Sequence, residues 1–431
     1  MHRKPIFILL WLTTATVLLG QQSLSSQYVS DSQGISFEEL SRLAFAQNKD
    51  LVAARESFHQ AEGRLTQARL RPNPTVDISK TTDAVFAREG DTAFSITFSQ
   101  QVELAGKRAK RVTVEEASIE IAKAEIADAE RILAGRLRNL YMEAIGAASR
   151  LNLFERLDSL NQQMTNVMDV RLRAGDASRL DSRLLAAQAN QVRAQRQVAQ
   201  NQLAGLLLQV RALAGLSLYE PLILKRPAQT ASLLEAEDAA VGRAFENRPD
   251  LKAAKLREAF AEAGIALAKS QVVPNLNAFV RYAKDSIPIV NSAGGARSFE
   301  KENVLEFGVS IPLPLFNHEQ GNIAVAASDR LKARAGREAL ETSIRRDVVL
   351  AYRRYQTAQE TLQILSTGVV QPNQESLQIV QLAYGLGELR LLDIVSQQRA
   401  VIEAETAYLD AQTELNSALA DLEQALGDPI L

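Results

Sequence analysis

A mainly α-helical protein with a smaller β part, built from a duplicated helix-strand-strand-helix-helix unit, is the fold class this sequence predicts. Three observations carry the prediction: long runs with an apolar period of 3.5, stretches that alternate at period two, and a match between the two halves of the chain. The composition agrees. Ala, Leu, Gln, Glu and Arg dominate the 431 residues and aromatics make up 5%, as in long-helix proteins. With 49 Lys+Arg against 51 Asp+Glu, the net charge of -2 gives no electrostatic case for nucleic acid as a partner. With no cysteine, disulfides, thiolate metal sites and cysteine lipidation are excluded.

Residues 1–22 read as a signal peptide: basic "MHRK", then the apolar "PIFILLWLTTATVLLG". An uncleaved membrane anchor is the alternative. "LLGQ" has Gln21 where a lipid-accepting cysteine would stand. No later run of eighteen apolar residues occurs, so further membrane insertion would need an architecture other than a helix.

The duplication comes next. "AFAQNKDLVAARESFHQAEGRLTQARLRPNP" from Ala44 aligns with "AFENRPDLKAAKLREAFAEAGIALAKSQVVPNL" from Ala244. In each copy Asp-Leu opens a helix and Pro-Asn closes it, because proline lacks an amide donor and clashes with the preceding turn. "LRAGDASRLD" (172–181) matches "AYGLGELRLLD" (383–393) around Gly175 and Gly387. The predicted units are a first repeat at 36–215 with strands at about 74–83 and 92–104, and a second at 236–427 with strands at about 275–285 and 303–316. An irregular linker, 216–235, separates them.

The helices carry a coiled-coil seam: Ile344, Val348, Ala351, Tyr355, Ala358, Leu362, Leu365 and Val369 alternate steps of four and three. Leu51 to Ala68 and Ile119 to Leu140 do the same. A helix from Lys107 to Arg173 would run about 100 Å. In the strands, Phe94, Ile96 and Phe98 interleave with Ser95, Thr97 and Ser99, and Leu305 to Leu315 alternates likewise. One apolar and one polar face suits a barrel with lipid outside and water inside. It equally suits a soluble sheet packed on helices. Four strands cannot close a barrel, so the membrane alternative requires several copies.

Enzymatic motifs are missing: the sequence contains no G-x-G-x-x-G, Walker, G-x-S-x-G or H-E-x-x-H pattern. His2, His59 and His318 have no metal-ligand spacing, and Met164 and Met168 suit helix contacts better than copper. No cofactor or resident metal is expected.

"LRPNP" at Leu70, "VELAGKRAKR" at Val102, "IPLPLFNHEQGN" at Ile311 and the two glycine-centred turns resemble the TolC-like outer-membrane factors of Gram-negative efflux pumps, in particular their CzcC-like, metal-exporting branch. The resemblance covers nearly all of the chain after the signal. It implies a trimer in which each chain gives four strands to a twelve-stranded outer-membrane barrel, continued by a coiled-coil α-barrel through the periplasm. Its implied function is a passive exit duct, working with a periplasmic adaptor and an inner-membrane RND-type pump, within outer-membrane lipid. Drug or solvent efflux or type I secretion would suit the same fold. A periplasmic adaptor or a soluble coiled-coil scaffold are alternatives of another class.

Within that resemblance Gly106, Lys107 and Arg108, and Gly321 in the second half, mark the barrel-helix junctions. The basic run Lys107–Arg111 is awkward at a helix N-terminus, and is expected to face lipid phosphates or Glu103. "AVFAREGD" (84–91) and "SIPIVNSAGGARSFEKE" (286–302) would be external loops. Gly175, Asp176, Ser178, Arg179, Gly387, Glu388, Leu389 and Arg390 would meet the adaptor. Asp393 and Asp181 would line the periplasmic gate, with Ser396 where the family's second gate aspartate stands. Ser178 to Asp181 also fits a capping box, whereas no cap competes at Asp393.

Overall fold

The computed structural model describes residues 24–82, 92–175, 178–227, 236–290, 297–386 and 388–428. The signal peptide, Asp176, Gly387 and the first external loop therefore lie outside the described residues. In order, the elements are β1 (Val29–Ser30), α1 (Phe37–Gln47), α2 (Lys49–Arg69), β2 (Thr75–Thr82), β3 (Thr92–Val102), α3 (Lys107–Ala174) and α4 (Arg179–Ala214). The second half repeats them as β4 (Leu224–Lys225), α5 (Glu237–Asn247), α6 (Pro249–Gln271), β5 (Leu276–Val290), β6 (Arg297–Ser310), α7 (Gln320–Leu365), α8 (Gln371–Gly385) and α9 (Leu391–Leu426).

The long helices pack along the seams the sequence shows. Leu133 and Leu137 on α3, and Ile344, Val348, Ala351, Tyr355 and Ala358 on α7, are buried. The α7 seam then loosens, and Leu362, Leu365 and Val369 are only half-buried. There the helix is interrupted by a π turn, Ser366–Val370, just before Pro372. Proline cannot continue the hydrogen-bond ladder, and a wider turn accommodates the lost donor. The hydroxyls of Ser366 and Thr367 both donate to the Gln363 carbonyl, at 3.0 Å.

Each predicted opening helix begins where Asp-Leu places it and is preceded by a shorter helix, with one residue between the two. Asn48 ends α1 and caps α2, its Oδ1 accepting the Leu51 amide (3.0 Å) while its Nδ2 donates to the Leu213 carbonyl at the end of α4 (2.9 Å). The equivalent Arg248 donates to Asp250 (3.0 and 2.6 Å) and to the Ala425 carbonyl at the end of α9 (3.3 Å). In each half the break thus meets the last carbonyls of that half's returning helix, which have no partner within their own helix. Gly215 and Gly427 end those helices with left-handed φ of 73° and 74°. A Cβ there would lie 2.8 Å from the Gln47 carbonyl carbon or 3.0 Å from the Arg248 Cα, so only glycine allows both the turn and the approach.

A belt crosses the helices at this level. The 216–235 segment is not wholly irregular, because β4 pairs in parallel with β1. Tyr141 of α3, 1% exposed, donates its hydroxyl to the Lys225 and Ile35 carbonyls and stacks edge-on against Phe37. Burial pushes its phenol well above the usual tyrosine range.

The four-stranded sheet has the order β2-β3-β5-β6, all antiparallel. Its register stacks Val76, Phe98, Val280 and Phe307 in one row, and Ile78, Ile96, Tyr282 and Leu305 in the next. All eight are exposed. The opposite face carries Asp77, Thr97, Arg281 and Glu306 in one row and Ser79, Ser95, Ala283 and Val304 in another. Two expectations are corrected here. Residues 286–302 are mostly strand, pairing as far as Val290 with Arg297. Ile311 to Phe316, although alternating, is not strand, because Pro312 and Pro314 offer no ladder amide.

Of the two strand-helix junctions, the first agrees with expectation and the second differs. Ala105 and Gly106 take left-handed φ of 56° and 68° before α3, as a glycine swivel requires. In the second half Gly321 lies inside the first turn of α7, and the left-handed residue is Glu319 (φ 60°), whose carboxylate accepts from the Asn322 amide. Three of the four cations in the basic run bond to protein, and Arg111 meets Glu103 as expected. Lys107 is buried and donates to Asn275 Oδ1 of the second half (2.7 Å). Arg108 donates to the Arg69 carbonyl (2.8 Å), and Arg111 to the Ala68 and Leu70 carbonyls (both 3.4 Å) and to Glu103 (2.6 and 3.2 Å). The cations that sit badly at the start of α3 sit well at the negative C-terminal end of α2.

The hydrogen bonds from Arg111 hold the Glu103 carboxyl below its ordinary value. This stabilisation is therefore present above about pH 4.5 and lost as pH falls through the lowered value. Arg111→Gln should cost about 1–2 kcal/mol at neutral pH. In thermal unfolding at successive pH values, the deficit should shrink below pH 4.5.

Candidate functional site

Farthest from the sheet, the chain forms two helix-hairpin tips that pack on each other. Met168, Leu185, Leu391 and Val395 make a small buried cluster, with Met164 and Tyr384 against it. The Arg171 guanidinium lies over the Tyr384 ring, 5.3 Å from its centroid. The two methionines thus fill helix contacts.

The first tip turns at Gly175 (φ 86°), whose amide bonds to the Leu172 carbonyl at 3.2 Å. α4 then begins after Ser178, whose hydroxyl oxygen accepts the Leu180 amide (3.0 Å). In the second tip the Glu388 amide reaches back to the Ala383 carbonyl (3.0 Å), and α9 starts after Arg390. Arg179, Glu388 and Arg390 are exposed, and Leu389 is half-buried.

Asp181 and Asp393 occupy the same place, the third residue of α4 and of α9, and both are half-buried. A carboxylate is favoured there by the helix dipole. Their capping roles are the reverse of expectation. The Ser178 hydroxyl bonds to Leu180, not to the Asp181 amide that a capping box requires. It is Asp393 whose Oδ2 accepts the Arg390 amide, at 2.8 Å. Arg390 cannot itself cap, so the carboxylate three residues on satisfies the free donor. The exposed Ser396 donates to the Asp393 carbonyl (2.9 Å).

Between the tips and the crossing belt lies a buried polar layer that sequence reasoning missed. Asp158 takes Arg196 at 2.8 Å; Gln398 Nε2 donates to Asn161 Oδ1 at 3.0 Å; Arg399 donates to Gln188 at 3.2 Å. Among the described residues Asn161 Nδ2 and Gln398 Oε1 have no partner. Polar residues inside an apolar seam were the available signal, and such layers fix helix register.

A model of the outer membrane efflux protein family matches the chain twice, over residues 40–216 and 240–428. The chain belongs to the outer membrane efflux protein family. The family's duplication is thus the one visible in this sequence. The cobalt-zinc-cadmium resistance protein CzcC of Cupriavidus metallidurans is 24% identical over 388 residues, covering 87% of this chain and 85% of that protein. Among solved structures, CusC superposes with a TM-score of 0.76 at 16% identity, covering 96% of each chain. The outer-membrane channel OprN gives 0.73 at 19% identity over 97% and 98%, and VceC of Vibrio cholerae 0.71 at 18% over 92% and 97%.

As a member of this family the protein is an outer-membrane efflux channel, and members are channels rather than enzymes. Its exposed apolar sheet face lies in the outer membrane, and its helices extend into the periplasm. No helix among the described residues is long and apolar enough to cross a membrane. His59, on α2, is exposed and bonds Glu62 at 3.0 Å. His318 stands at the second junction, apart from it.

The cap and the charge at Asp393 can be separated. Asp393→Asn keeps an acceptor for the Arg390 amide, and Asp393→Ala removes it at a cost of about 1 kcal/mol to the start of α9. Amide hydrogen exchange at Arg390 and Leu391 should rise roughly fivefold in the alanine variant and little in the asparagine variant.

Proposed function

We propose that the protein assembles as a homotrimer whose strands close a twelve-stranded barrel, and that it is the exit duct of a tripartite pump for cations, heavy-metal ions among them. A periplasmic adaptor and an inner-membrane RND-type pump are its partners, the pump supplying the energy and the duct conducting passively. The free outer edges of β2 and β6 support the trimer, because strand edges in hydrocarbon must be paired.

The observation that carries the cation reading is the charge of the inward sheet face. By register it holds Asp77, Asp285, Glu300, Glu302 and Glu306 against one cation, Arg281, which lies 3.6 Å from Glu306. Three copies would line the exit with carboxylates, favouring cations and impeding anions. The name of the relative CzcC, a cobalt-zinc-cadmium resistance protein, supports metal ions as the cargo. They would pass as substrate, and among the described residues no cluster of three His, Cys, Asp or Glu could hold a metal ion.

At the periplasmic end, Asp393 and Asp181 are the gate carboxylates, with Ser396 in place of a second acidic ring. The tips around Gly175, Asp176, Ser178 and Arg179, and around Gly387, Glu388, Leu389 and Arg390, are the adaptor contacts. The junction residues Gly106, Lys107 and Arg108 fix where the barrel ends.

Single-channel recording in planar bilayers tests this reading. The wild type should pass cations over anions, and Asp285→Asn with Glu302→Gln and Glu306→Gln should bring the reversal potential toward zero in a salt gradient. Asp393→Ala should raise conductance or reduce cation preference. Anion preference in the wild type, or an unchanged reversal potential in the triple variant, would contradict the cation reading.

A further inference from the structure

Charge on the sheet separates by face, and the outward face is as one-sided as the inward one. By register the outward positions are Val76, Ile78, Lys80 and Thr82 on β2, Phe94 to Val102 by twos on β3, Leu276 to Ser286 by twos on β5, and Lys301 to Val309 by twos on β6. Every charged residue among these is a lysine: Lys80, Lys284 and Lys301. All three are exposed, and among the described residues none pairs with an acid.

Their height on the barrel is specific. α3 and α7 leave the sheet at one end, so the hairpin ends point out of the cell. The last apolar row in that direction is Ile78, Ile96, Tyr282 and Leu305. Lys80 and Lys284 lie in the next row, with Phe94 and Asn303, and Lys301 lies one row beyond, with Thr82, Thr92 and Ser286. The Tyr282 hydroxyl donates to Asn303 Oδ1 at 2.8 Å, an amphipathic ring with its polar tip turned outward, as at a membrane interface. The lysines therefore stand where hydrocarbon gives way to headgroups. Their stems can lie along the apolar rows while the ammonium groups reach up.

The opposite end of the membrane face differs. There Leu70, Ile311, Leu313, Leu315 and Phe316 are exposed, and the nearby basic side chains of Lys107, Arg108 and Arg111 are taken by protein oxygens, while Arg71 and Lys110 stand beyond the end of the sheet. On the outward sheet face itself Lys80, Lys284 and Lys301 are confined to its outer end. Lys80 and Lys284 are two strands apart, about 10 Å, with Lys301 on the strand next to Lys284. This spacing fits a headgroup carrying more than one phosphate.

We infer that Lys80, Lys284 and Lys301 form a phosphate-binding belt that docks the anionic phosphoglycolipid of the outer leaflet. The belt rests on the membrane placement of the sheet and is independent of what the duct carries.

The test uses the full protein, purified in a neutral detergent, and native mass spectrometry with titrated diphosphoryl lipid A, its dephosphorylated form, and inorganic phosphate as competitor. The wild type should retain the diphosphoryl lipid at least tenfold better than the dephosphorylated one, with the preference falling as salt rises. Millimolar inorganic phosphate should not displace it. Lys80→Gln with Lys284→Gln and Lys301→Gln should abolish the preference while oligomeric mass is unchanged, and the triple arginine variant should restore it. If the triple glutamine variant does not assemble, Lys284→Gln alone should lower retention severalfold. Equal retention of both lipids by the wild type, displacement by inorganic phosphate, or undiminished preference in the glutamine variants would overturn the belt. A channel that conducts cations yet shows no phosphate preference overturns this inference alone.

Discussion

In hydrocarbon an unpaired backbone amide or carbonyl costs several kcal/mol, and this chain's sheet ends in two strands, β2 and β6, with no strand on their outer edges among the described residues. The rest of the architecture follows from that constraint. A sheet of four strands with an exposed apolar face cannot be stable alone in lipid or in water. In the proposed trimer other copies complete it, and they must be held in register by something outside the membrane. The long helices would supply that hold, since α3 alone extends 68 residues from the sheet.

The two halves solve the same local problems with different chemistry. At the helix breaks, an amide (Asn48) in the first half and a guanidinium (Arg248) in the second satisfy the end of the returning helix. At the barrel junctions, Gly106 turns the chain in one half and Glu319 in the other. Among the described residues, a π turn occurs in the second half alone, before Pro372. Duplication preserved the geometry, and the residues diverged wherever another side chain met the same hydrogen-bonding need.

The sequence made legible whatever depends on local period or composition. Heptad spacing marks the buried seams of α2, α3 and α7, and period two marks β3 and the last part of β6. Contacts between distant residues were not legible. Lys107 meets Asn275, and Arg108 meets the Arg69 carbonyl, so a run that looks misplaced at its own helix start serves the end of another helix. Asp393 as a cap was hidden because Arg390, the residue before the helix, belongs to no capping motif. Ile311 to Phe316 misled in the other direction, since its alternation is genuine but its prolines forbid the ladder. At the tips, the sequence located the two turns and both aspartates, but not the polar layer of Asn161 and Gln398 above them.

The absence of cysteine makes the central claim directly testable. One cysteine at Ile78 on β2, combined with one walked through positions 303 to 309 on β6, reports whether the two free edges meet between copies in membranes. The account predicts oxidation to a covalent trimer at one register, with positions out of register unreactive. Monomers alone at every position, or cross-linking that stops at dimers, would contradict a barrel closed by edge pairing between three copies.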